Sequence, residues 1–192
     1  ASYFRFLDGK TSLYDMSDVD IYTKDEKAAD AVEAMISAIG TVTAESKGAI
    51  EEARAAYDAL TDEQKTLVEN YDTLTSAETA LAKIENNTKA ADDVEAMISA
   101  IGTVTTESKS AIEEARAAYD ALTDEQKALV ENYDTLTSAE TALAKIENDI
   151  KAADDVEAMI SAIGTVTAES KDAIEEARAA YDALTDEQKA LV

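Results

Sequence analysis

The chain has 192 residues, 42 acidic against 17 basic side chains and a formal net charge of −25, and it contains no Cys, His, Trp or Pro. The missing Cys and His exclude disulfides, thiolate chemistry, the common nucleophile–base pairs and most zinc sites. The acidity repels nucleic-acid phosphates and the anionic lipids that recruit basic segments.

No run of about 18 apolar residues occurs, so no membrane contact is expected of this segment. No signal peptide is visible at Ala1, and the chain stops at Val192 inside a repeat. It therefore reads as an internal fragment of a longer protein.

Residues 1–26 differ from the rest. Tyr3, Phe4, Phe6, Tyr14 and Tyr22 hold five of the ten aromatic residues. Tyr3 to Leu7 reads as a strand, and Asp8-Gly9 is a hairpin turn signal. Ser12–Tyr14 and Val19–Tyr22 are further strand candidates. The segment reads as the C-terminal strands of a preceding β domain, or as a hairpin docked on the first helical module. The string Met16 to Lys24, MSDVDIYTK, resembles the closing strand of laminin-G-like, concanavalin-type lectin domains, with Ser17 replacing the first Asp of their pattern. In such domains acids like Asp18 and Asp20 sometimes lie near calcium.

Beyond residue 26 the chain is repetitive. The string VEAMISAIGTVT begins at Val32, Val94 and Val156, a period of 62 residues, and the first two copies differ at five positions. Near-identical tandem copies suit an element whose length can change by copy number. The expected division is helical repeat 1 over 27–87, repeat 2 over 88–149 and a partial repeat 3 over 150–192.

In repeat 2 the helical period is plain. Thr75-Ser76-Ala77-Glu78 has the form of a capping box, with Thr75 as N-cap. Leu81, Ile84, Ala91, Val94, Ile98 and Ile101 come after it at helical spacing, and Gly102 suits a left-handed stop. This predicts a helix of about 27 residues, roughly 40 Å long. Its middle, Asn86-Asn87-Thr88-Lys89, lacks large apolar groups and fits a shared helix passing between two cores, either continuous or mildly kinked. Asn86–Thr88 also spells a glycosylation sequon, which Asn148-Asp149-Ile150 does not repeat. Thr103-Val104-Thr105 reads as a β-rich connector. A second helix is predicted from about Thr106 to Leu122, with Ile112, Ala115, Tyr119 and Leu122 on its apolar stripe. A second capping box, Thr123 to Gln126, opens a short helix expected to carry Leu129, Val130 and Tyr133. Thr137-Ser138-Ala139-Glu140 then repeats the first box.

The expected fold is therefore all-α: tandem three-helix-bundle repeats sharing long connecting helices, a spectrin-like rod, with a short N-terminal β segment. The recurring strings ISAIG (Ile98–Gly102), ARAAYDALT (Ala115–Thr123) and QKALV (Gln126–Val130) resemble helical spacer repeats in secreted or cell-wall-anchored multidomain proteins of Gram-positive bacteria. That resemblance implies three-helix spacers outside the cell.

No catalytic, cofactor-binding or metal-binding residue is assigned, and no cofactor is expected. Adjacent acids such as Glu113-Glu114 and Asp92-Asp93 diverge by about 100° on a helix, whereas a glycosidase needs two carboxyls facing each other. Tyr119, Tyr133 and Met97 read as packing residues, and Arg116 as the partner of an acid on its own helix. The expected function is a non-enzymatic stalk that projects catalytic or adhesive domains. Its partners are then the neighbouring domains of the same polypeptide. The alternative is a helical adhesin module that binds a host protein or glycan.

Overall fold

The computed structural model describes residues 24–192. These are all-helical: nine α-helices and three 3-10 turns, with no strand among the described residues. The strand and turn readings at Tyr3–Tyr22, with Asp18 and Asp20, lie outside the described residues. The first helix, α1 (Lys24–Ala38), starts ahead of the expected Lys27. Lys24, Asp25 and Glu26, assigned from sequence to the β segment, are thus helical. The two acids sit in its first turn, where the helix dipole favours negative charge.

The chain divides into two compact units, one ending at Asn86 and the other running from Asn87 to Val192. In the first unit, α1 packs on α2 (Lys47–Asp58) and on the single turn α3 (Asp62–Lys65). Their core holds Ala29, Val32, Ile36 and Ile39 of the first segment, Ile50 and Ala53 of α2, and Val68. Leu74, Ala77 and Leu81 complete it from α4 (Tyr71–Ala100).

The core of the second unit repeats these positions residue for residue, 62 along. Ala91, Val94, Ile98 and Ile101 meet Ile112 and Ala115 of α5 (Lys109–Ala121), then Val130, then Leu136, Ala139 and Leu143 of α7 (Tyr133–Ala162). Between α5 and α7 lies α6 (Asp124–Lys127). The helices α1, α2, α4, α5 and α7 each bury one face because their apolar residues recur every three or four positions. Small Ala53 and Ala115, both fully buried, let the helices approach closely.

The helix α7 also contributes Ala153 and Val156, which are buried further along it. There it packs on α8 (Lys171–Ala183) and α9 (Asp186–Lys189). No residue of α7 between Leu143 and Ala153 is buried. Likewise α4 is unbroken through the polar Asn86–Lys89 stretch.

Each long helix ends where the sequence places a Gly. Gly40, Gly102 and Gly164 have φ near +60°, a conformation that costs an L side chain about 1 kcal/mol or more. The residues after them are not strands. Thr105 is extended at φ −136°, and Ser108 Oγ accepts from its N–H at 3.0 Å, opening a 3-10 turn rather than a β pairing.

Two local expectations are corrected. The Thr75 and Thr137 boxes are not helix caps, because α4 and α7 begin at Tyr71 and Tyr133. Leu74 and Leu136 are fully buried, each worth about 1.5–3 kcal/mol, and their burial draws the helix start forward. Thr75 and Thr137 then lie inside a helix with no orphan N–H to cap, and their hydroxyls donate to Asp72 O and Asp134 O at 3.0 Å. The Thr123 box is a true cap, with Thr123 N–H donating to Gln126 Oε1 at 2.9 Å. Its helix is only one turn, however. Leu129 and Val130 lie beyond it, and Tyr133 belongs to α7.

Candidate functional site

The most organised polar cluster in each core is built around an arginine. Arg116 lies on α5 next to Ala115, and Glu140 lies on α7 next to Ala139. Because those two alanines are buried, the long side chains beside them meet across the helix pair. Arg116 Nε and Nη2 donate to Glu140 Oε1 and Oε2 at 2.6 and 2.7 Å, a two-pronged pair. Its Nη1 donates to Tyr133 Oη at 3.3 Å. Tyr133 stacks on Tyr119 with ring centroids 4.4 Å apart, and the guanidinium lies 5.3 Å from the Tyr133 ring centre. The first unit has the same cluster in Arg54, Glu78, Tyr57 and Tyr71, with Arg–Glu distances of 2.6 Å.

This arrangement latches two helices. A planar guanidinium matches a carboxylate in two parallel bonds, and such pairs exceed neutral hydrogen bonds in strength. The Arg116 hydrogen bond holds the Glu140 carboxyl below its ordinary range, against the opposing effect of partial burial. The Arg116 guanidinium is held above its own ordinary value by Glu140 and Tyr133. Both groups therefore stay charged at neutral pH, and neither is poised to transfer a proton.

Three further contacts tie the segments together. Gln126, whose Oε1 serves the Thr123 cap, donates from Nε2 to Asn87 Oδ1 at 3.2 Å. Its counterparts Gln64 and Gln188 reach Asp25 and Asp149, each at 2.8 Å. Asn132 Nδ2 donates to Glu95 O at 3.0 Å and to Ser99 Oγ at 3.2 Å. Lys109 bonds Glu147 at 2.8 Å, as Lys47 bonds Glu85.

The acid pairs weighed from sequence do not converge. Asp93 pairs with Lys89 on its own helix, and Glu114 accepts from Ser110 at 3.0 Å. Among the described residues no group of three acids is gathered as a metal site would require, and no helix is long and apolar enough to cross a membrane. Tyr119, Tyr133 and Met97 are partly buried against the core, as packing residues. The reading of Arg116 as the partner of an acid on its own helix holds, but it is not the whole of the arrangement. Its same-helix acid, Asp120, stands at 3.7 Å, while its close partner is Glu140 on another helix. The available signal was that Arg116 and Glu140 each directly follow a small core residue.

The comparisons with known proteins return nothing: no family model, no curated protein and no solved structure matches the chain.

Proposed function

We propose that this chain is a structural spacer, a stalk built of tandem three-helix modules that share their long helices. In this reading it belongs to a secreted or wall-anchored protein of a Gram-positive bacterium, where it projects catalytic or adhesive domains. One observation carries the proposal: α7 supplies Leu136, Ala139 and Leu143 to one core and, on the same unbroken helix, Ala153 and Val156 to the next packing layer.

Two features support the mechanism. A helix shared by successive cores couples them, so that bending requires breaking a helix or a core. A net charge of −25 keeps such molecules apart at short range, within about one Debye length of 8 Å at physiological salt.

Small-angle scattering on chains carrying two, three and four copies tests the reading. The maximum dimension should rise by an equal step per copy. A dimension that grows only as expected for a compact sphere would refute it.

The second reading is an adhesin module for a host protein or glycan. It is favoured by one recurrence: Leu67, Leu129 and Leu191 are exposed at 42%, 45% and 49% in successive copies. A single exposed leucine per copy is ordinary for a protein surface, so the spacer reading is preferred. Capture of a serum protein with avidity that grows with copy number, and its loss on Leu→Lys at these positions, would reverse the preference.

A further inference from the structure

The start of α4, residues 71–81, closes the first core over α1 and α2, and the start of α7 closes the second in the same way. Every buried core residue of the first unit recurs unchanged in the second. The latch residues Arg54, Tyr57, Tyr71 and Glu78 recur as Arg116, Tyr119, Tyr133 and Glu140. The cross-helix pairs Lys47–Glu85 and Lys109–Glu147 match as well, both at 2.8 Å. The five differences between the first two copies lie elsewhere. In the first copy they are Ala44, Gly48, Thr66 and Thr88, all exposed, and half-buried Asn87. No side chain in either core therefore tells its own closing helix from another copy of it. Interfaces that reject a wrong partner carry such a difference in size or charge.

We propose that a second copy of this chain is a binding partner, joined by exchange of residues 71–81. The start of α4 from each chain docks on α1 and α2 of the other. Leu74, Ala77 and Leu81 then meet the other chain's Ile50 and Ala53, in the core they share within one chain. Glu78 meets the other chain's Arg54, in the two-pronged pair it makes within one chain at 2.6 Å. The separate and exchanged forms hold the same core, so concentration during folding decides between them.

The connection permits the exchange. Residues 59–67 join α2 to the core residue Val68, and none of them is buried. They hold only the single turn α3, tied to α1 by Gln64 and Asp25 at 2.8 Å. Extended, residues 59–67 reach roughly 30 Å, enough to cross to a neighbouring chain. The net charge of −25 opposes the encounter, and salt screens that repulsion. Exchange should therefore rise with ionic strength, whereas association through exposed ion pairs would fall. The inference rests on the identity of the two cores and not on the stalk reading.

Two variants of the full chain test it, Arg54→Glu and Glu78→Arg. Alone, each sets like charges across its first core. Exchanged between the two variants, each first core again holds one acid and one base. The variants are unfolded, mixed and refolded together at high protein concentration and raised salt, then weighed by sedimentation. The expected product is a one-to-one dimer, enriched roughly tenfold or more over any dimer of either variant alone. Unaltered chains, half of them isotopically labelled and refolded together, give a readout that needs no substitution. Isotope-filtered NMR of their dimer should place the Ile50 methyls of one chain against the Leu74 methyls of the other. Refolded unaltered chains that show no such interchain contact overturn the proposal. So does a dimer that either variant forms as readily alone as in the mixture.

Discussion

The helices α5 and α8 are near-copies with different surroundings. Residues 109–121 and 171–183 differ at one position. Yet Ile112 is buried and Arg116 half-buried, whereas Ile174 and Arg178 are exposed. The start of α7 lies over the first of these helices, and no described helix lies over the second. A sequence repeat therefore fixes what a helix offers, and the neighbour fixes which part of the offer becomes stabilising. The same residue in two copies can differ in worth by several kcal/mol.

The largest expected contrast is Ile112→Ala against Ile174→Ala. The first leaves a cavity in a closed core and should cost about 2–5 kcal/mol. The second trims a side chain that is already 39% exposed and leaves no closed cavity, and should cost under about 1 kcal/mol. Urea unfolding followed by circular dichroism, with amide exchange to locate the loss, measures both. Equal costs would mean that the two isoleucines are equally enclosed in solution.

The latch gives the next contrast. Arg116→Ala leaves Glu140 and Tyr133 without their shared donor and should cost about 1–3 kcal/mol. Arg178→Ala should change stability by no more than about 0.5 kcal/mol. The pH dependence sharpens this pair. The folded-state carboxyl of Glu140 is held below its ordinary value, chiefly by Arg116. Its contribution is therefore fully present above the ordinary carboxylate range and lost as pH falls through the lowered value. Arg116 stays charged throughout. The stability gap between the unaltered chain and Glu140→Gln should be level from about pH 7 to pH 5 and close below about pH 4. A gap that widens on acidification would refute the latch.

The smallest effects separate two glycines by sign. Gly102 stops a helix at φ +60°, so Gly102→Ala should destabilise by about 1 kcal/mol. Gly48 lies inside α2 with open space around its Cβ position. Gly48→Ala should stabilise by about 0.5 kcal/mol, by restricting the unfolded chain. Thermal unfolding of the two variants checks the reversal.

Much of this architecture was legible in the residues. The helical period, the stops at Gly40, Gly102 and Gly164, and the Thr123–Gln126 cap are local features, set by residues within one or two turns of each other. The misreading of where the long helices start has a tertiary cause. Thr75 to Glu78 is a sound capping sequence, but burial of Leu74 and stacking of Tyr71 on Tyr57 moved the helix start ahead of it. Glu78, released from capping, became the partner of Arg54.

By itself, the sequence determined the helical segments, their glycine stops and the 62-residue recurrence of their faces, because backbone propensity and side-chain periodicity act over a few residues. Only the tertiary structure decided which arginine meets which glutamate and where the long helices begin. Those outcomes depend on distances between segments 24 to 39 residues apart, which close packing fixes and local spacing does not encode.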